Sequence, residues 1–148
     1  AIYLLRSYIA GLPAELQSQL QCPQYAALEP HVQLLSFEHG FMLLLEESSE
    51  IYVSYEDQKW QKRDVDWRSE SGPATVPITS TTGLYQPAGV WDKTWKKDGI
   101  RKHLGYATQP EPNRFTAVKQ EFTNNSILIA NKDSGEVYRF LGTERSSN

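Results

Sequence analysis

Apolar positions change their spacing along this chain, and each spacing predicts an element. Leu12, Leu16 and Leu20 recur every fourth residue, which places them on one face of a short helix over 11–22. Pro13 suits its first turn, where the missing N–H costs nothing, and Pro23 stops it. From His31 to Arg63 the pattern becomes that of strands. Val32, Leu34 and Phe37 open a β run, His39-Gly40 turns it, and 41–45 continue as an unbroken apolar stretch. After the polar turn 46–50, Ile51-Tyr-Val-Ser-Tyr55 alternates as a half-buried strand does, and Lys59-Trp60-Gln61 starts a last short strand. Strands joined by tight turns predict an antiparallel meander.

The second half follows the same order. Val90, Trp91, Trp95, Ile100 and Leu104 predict two helical turns broken at Asp98-Gly99. Strands are predicted over 115–122, 127–130 and 137–141, with turns at 123–125 and 132–135 and a polar tail from Gly142. Between the halves, RSESGPATVPITSTTG (68–83) has no periodicity, and Pro73 and Pro77 forbid helix, so it reads as a linker.

The halves also align by residue type. Leu20-Gln-Cys-Pro23, then Phe37, then Tyr52 in the first correspond to Leu104-Gly-Tyr-Ala107, Phe122 and Tyr138 in the second. The expected fold is therefore a β-rich α+β protein of two tandem repeats, each a short helical segment plus a small antiparallel meander. The first repeat and N-terminal segment occupy 1–67, the linker 68–83, and the second repeat and tail 84–148. A unit this small buries little apolar surface alone, and two stacked units share a core. Phe37, Phe122, Tyr52, Tyr138, Trp60 and Trp91 are the positions expected to carry the repeat. The second copy lacks the strand that Lys59-Trp60 supplies in the first, so its last strand is expected at an edge that something covers. The apolar run 1–10, with Ile2, Leu4 and Tyr8, is the candidate pairing segment. It could serve within the chain or against a neighbouring protomer or host protein.

The segments Phe37-Glu-His-Gly-Phe-Met42, Ile51-Tyr-Val-Ser-Tyr-Glu-Asp-Gln-Lys-Trp60 and Ile100-Arg-Lys-His-Leu-Gly-Tyr-Ala-Thr108, with Gln120-Glu-Phe122 and Val137-Tyr138, carry a resemblance. They resemble the paired extracytoplasmic "LGWAT … QxFExGxM … IYVLYDDGTW" repeats of envelope proteins from Chloroflexota-type bacteria. More distantly, they are similar to the LGFP cell-wall repeats. The likeness covers about residues 12–141. It departs at Gln21 and Asn125, where the repeats have Gly, and at the missing second Trp. The resemblance implies a non-catalytic envelope module, and no catalytic residue carries over from it.

Composition narrows the chemistry. Of 148 residues, 39% are hydrophobic and 22% charged, a folded composition with length enough for a core. Fifteen Lys and Arg against eighteen Asp and Glu leave a net charge of −3, without the basic footprint of a nucleic-acid binder. No apolar run reaches the ~20 residues of a membrane span. The chain opens on Ala1 and is expected to be a processed product or a segment of something longer.

The single Cys22 excludes an intrachain disulfide and reads as packing beside Pro23. His31, His39 and His103 have no ligand-spaced partners, so no metal and no cofactor are expected. Asp64-Val-Asp66 and Glu70 lack the rest of a calcium cage and read as a solvated loop. Asn124-Asn125 suits a turn with positive φ.

Among the aromatics, Tyr52 and Trp60 read as core. Trp67 and Tyr85 flank the linker and are the candidates for contact with a sugar or partner. Lys93, Lys96, Lys97, Arg101 and Lys102 form the one charge asymmetry, a positive helix face toward an acidic partner or a solvated surface. No hydrolase or protease motif is present. The expected function is a non-enzymatic, extracytoplasmic structural or interaction module with a protein partner or larger polypeptide. Cell-wall or surface-glycan binding is the alternative, and a hydrolase the third reading.

Overall fold

The computed structural model describes residues 2–20, 27–78, 83–97 and 99–142. The chain divides into two compact units. One is built from residues 32–114, the other from the segments before and after them.

The contiguous unit centres on a four-stranded antiparallel meander. Its strands are β1 (His31–Phe37), β2 (Gly40–Leu45), β3 (Glu50–Tyr55) and β4 (Trp60–Asp64). The register sets Leu35 opposite Met42, and Met42 opposite Val53, so apolar side chains two apart share one face. That face carries Leu35, Phe37, Met42, Leu44, Ile51 and Val53. Packed in the same core are Val90, Trp91 and Trp95 of α3 (Gly89–Trp95) and Ile100 and Leu104 of α4 (Ile100–Leu104). Leu43, Leu45 and Tyr52, on the opposite face, are buried as well, which is why 42–45 read as an unbroken apolar run. Tyr52 stacks on Trp60 at 6.1 Å, and both are core as expected.

The β1–β2 turn requires glycine. Gly40 has φ +151°, and a Cβ there would lie 2.0 Å from the Ser54 carbonyl oxygen. The same turn holds the end of α4, because the Glu38 and His39 amides donate to the Tyr106 and Leu104 carbonyls at 2.9 Å. The Glu38 carboxylate accepts from the Tyr106 amide.

Part of the expected linker is structured. Trp67–Ser69 form a 3₁₀ turn, and β5 (Thr75–Pro77) pairs antiparallel with β6 (Tyr85–Pro87). The Thr75 hydroxyl donates to the Pro110 carbonyl at 2.7 Å. Proline forbids helix here but is tolerated in a two-stranded ribbon, where half the backbone groups face outward.

The second unit contains α1 (Ile2–Ala10), α2 (Ala14–Leu20), β7 (Asn113–Glu121, from Phe115 on), β8 (Ile127–Asn131) and β9 (Val137–Phe140). Its core joins Leu5 and Leu20 from the helices to Val118, Phe122, Leu128 and Ala130. The β7–β8 turn places Asn125 at φ +69°, the conformation its side chain tolerates. Asn124 accepts the Ser126 amide.

Two expectations change. The run 1–10 is not a strand: α1 contains Ile2, Leu4 and Tyr8, and its backbone bonds are internal to the helix. Leu5, Tyr8 and Ile9 fall at i, i+3 and i+4 and join the β7–β9 core, so tertiary packing overrides a composition that suits strand equally well. The Tyr8 hydroxyl accepts from Arg139 at 3.5 Å.

The second change concerns which helices serve which meander. Each meander packs with the helices of the other half: α1 and α2 with β7–β9, α3 and α4 with β1–β4. The four large apolar side chains Trp91, Trp95, Ile100 and Leu104 match the wider face. α2 contributes Leu20 to the narrower one. Phe37 and Phe122 are both buried, while Tyr52 is fully buried and Tyr138 only half-buried against Phe115. The corner at Cys22 and Pro23 lies outside the described residues. β9 is the edge of its three strands.

Candidate functional site

A concavity of the contiguous unit lies beside α3. Val90, Lys93, Thr94 and Lys97 fall at i, i+3, i+4 and i+7, so they line up along one side of the helix and its last turn. Facing them, the chain leaves β4 through Asp64, Val65 and Asp66 and reaches Glu70 after the 3₁₀ turn. These two walls enclose about 170 Å³, with Val65 and Val90 as apolar lining. The β4 strand fixes one wall, since Glu50 pairs with Asp64 and the Val65 amide donates to the Ser49 carbonyl at 2.9 Å. The other wall is fixed by Trp91 and Trp95 of α3, which are buried in the core.

The walls carry opposite net charge: Asp64, Asp66 and Glu70 outnumber Arg63 on one, and Lys93 and Lys97 stand on the other. Lys93 pairs with Glu70 across the groove. Its ammonium is held above the usual lysine range, first by the hydrogen bond to Glu70, then by that carboxylate's charge, with a smaller contribution from Asp66. Lys97, Asp64 and Asp66 border the same space, are exposed, and have no ion pair among the described residues. Lys96 points elsewhere and pairs with Asp92 at 3.0 Å. Arg101 lies over Trp95 at 4.8 Å. The five-residue basic cluster therefore splits, and Lys93 and Lys97 alone reach the groove.

A second cavity of about 150 Å³ adjoins the first, sharing Glu70 and Val90. Trp67 lines it, with Gln33, Glu111 and Arg114 as polar neighbours. Its indole N–H donates to the Glu46 carbonyl at 2.9 Å, the Arg68 guanidinium lies 5.1 Å over the ring, and the ring packs against the core. Trp67 thus offers only part of its surface. Tyr85 borders neither cavity; it packs on the core, and its backbone exchanges hydrogen bonds with Ala107.

The carboxylate wall was visible in the sequence as Asp64-x-Asp66 but read as a loop. Nothing local links it to Lys93, which is 23 residues from Glu70. Among the described residues, no three His, Cys, Asp or Glu side chains gather as a metal site would need. No helix among them is long and apolar enough to cross a membrane. Compared with protein-family models, curated proteins and solved structures, the chain gives no significant match in any of the three.

Proposed function

We propose that this chain is a non-catalytic interaction module and that the groove between Asp64–Glu70 and α3 is its partner surface. One observation carries the reading: walls of opposite net charge lined between by Val65 and Val90, beside a buried core. Charged rims around apolar centres suit recognition of another protein, where charge sets partner choice and the apolar lining supplies burial. The resemblance to paired envelope repeats supports an extracytoplasmic place for the module, in a bacterial cell envelope or its assemblies.

Glycan binding is the second reading, favoured by Trp67 beside Gln33, Glu111 and Arg114. The engaged indole N–H and the guanidinium over the ring weigh against it, because sugar stacking needs an open aromatic face.

A photo-crosslinking residue replacing Ser71, next in the chain to the groove's Glu70 and lining the cavity that adjoins the groove, tests the first reading against the same probe replacing Glu15 on α2. With envelope fractions of the source organism, position 71 should give a discrete protein adduct that position 15 does not. Equal adducts at both positions would contradict it. So would saturable quenching by envelope polysaccharide that Trp67→Ala abolishes, which would favour the glycan.

A further inference from the structure

We infer that β9 is a self-association edge, on which two copies of this chain pair their Val137–Phe140 strands antiparallel about a two-fold axis at Tyr138. This goes beyond the groove, since β9 belongs to the other unit.

The outer side of β9 follows from its register on β8. Glu136 and Asn131 are a hydrogen-bonded pair, because the Asn131 amide donates to the Glu136 carbonyl at 2.8 Å. Bonded and non-bonded pairs alternate along antiparallel strands. Tyr138 with Ile129 and Phe140 with Ile127 are therefore bonded pairs, and Val137 and Arg139 turn their amides and carbonyls away from β8. β9 ends its sheet, so that side meets no further strand among the described residues. The apolar N-terminal run, expected as its cover, is helix α1, whose side chains pack on the core. Edges that must stay unpaired commonly carry proline, lysine or a bulge. The sequence Val-Tyr-Arg-Phe has neither residue, and its register on β8 is unbroken. The Arg139 guanidinium donates to the Tyr8 hydroxyl at 3.5 Å.

The strand complements itself in one register. With Val137 opposite Arg139 of the second copy, two bonded pairs form about the axis and use every outward group of both residues. Arg139 opposite Arg139 would set like charges against each other, and registers displaced toward Gly135 or Leu141 run off the strand. In the favoured register Tyr138 faces its own counterpart in a non-bonded pair, where side chains come closest, and an aromatic pair is favourable there. Tyr138 is half-buried against Phe115, so part of its ring is left for this contact. The contact uses the same patch on both copies, so it closes as a dimer. Four residues make a small interface, and the dimer is weak and concentration-dependent.

The test follows the full chain by sedimentation equilibrium and NMR from about 50 µM to about 2 mM, the range of a weak contact. The weight-average mass should rise from one chain toward two, and amide exchange should slow at Val137 and Arg139 as it does. In an equal mixture of isotope-labelled and unlabelled chain, a filtered nuclear Overhauser cross-peak should join Tyr138 Hα of one copy to Tyr138 Hα of the other. Tyr138→Lys and Tyr138→Glu should each weaken the dimer roughly 3- to 10-fold. Mixing the two variants should restore it, because this register alone sets position 138 against itself. Amide dispersion checks that each variant is folded, and the unsubstituted chain's mass and cross-peak decide the matter if one is not.

A mass that stays at one chain overturns the proposal. So does a dimer without that cross-peak, whose contact would lie on another surface, and so does a mixture of the folded charged variants no tighter than either alone. Slow exchange at Val137 and Arg139 already in the most dilute sample, at the mass of one chain, would mean that the chain covers its own edge and overturns it too. The interaction-module reading is decided separately, by the adduct at position 71, in the other unit.

Discussion

At the residue scale, three side chains carry sharp consequences. Phe37 and Phe122 are 5% and 2% exposed and sit in different cores. Truncation of either to Ala should cost about 3–5 kcal/mol, the usual loss for a buried phenylalanine. In urea unfolding, amides of 32–114 should lose protection first in Phe37→Ala, and those of 115–142 first in Phe122→Ala. Tyr138 gives a pH signature. Burial, then the Glu136 carboxylate, pushes its phenol up to about 12. The folded value lies above the unfolded one, so the stabilisation is complete below about pH 10. It is lost as the pH rises toward 12. The ring is half-buried and screened, so the loss should be about 1 kcal/mol. Tyr138→Phe should remove that slope in thermal melts between pH 9 and 12. An unchanged slope would show that the phenol titrates alike in both states.

Gly40 and Asn125 show why the turns were legible at this scale. Each is demanded by its own backbone, at φ +151° and +69°, and each therefore marks its turn in the sequence. Lys97 and Asp66 carry no such local mark, since they come to line one groove from distant parts of the chain.

At the element scale, every strand of the two meanders lies where alternation and turn residues predict it. That legibility stops at α1. Ile, Leu and Tyr serve a strand or a helix, and α1 has neither an acidic first turn nor a basic last one to declare it. Its helicity depends on docking Leu5, Tyr8 and Ile9 on the β7–β9 core, because nine residues are too few for a stable isolated helix. Deletion of residues 1–10 should therefore expose Phe122 and Leu128 and lower the hydrogen-exchange protection of β8 by at least ten-fold. Protection of β2 and β3 should change little. Equal loss in both units would contradict a core confined to one of them. The pairing of helices with sheets was not legible either: both meanders present an apolar face, and nothing in either helical segment states which face it covers.

At the scale of the whole molecule, the groove follows from that pairing. Were α3 docked on β7–β9, Lys93 would not meet Glu70, and Lys97 would not face Asp64 and Asp66. The groove exists because Trp91 and Trp95 share a core with Met42, Leu44 and Ile51. Methyl–aromatic nuclear Overhauser contacts test this most directly. Trp91 and Trp95 should show strong cross-peaks to methyl groups of Met42, Leu44 and Ile51, and Leu5 and Leu20 methyls to the Phe122 ring. Cross-peaks from Trp91 and Trp95 to Val118, Leu128 and Ala130 instead would mean that each half folds on its own meander, and the groove would be lost with them.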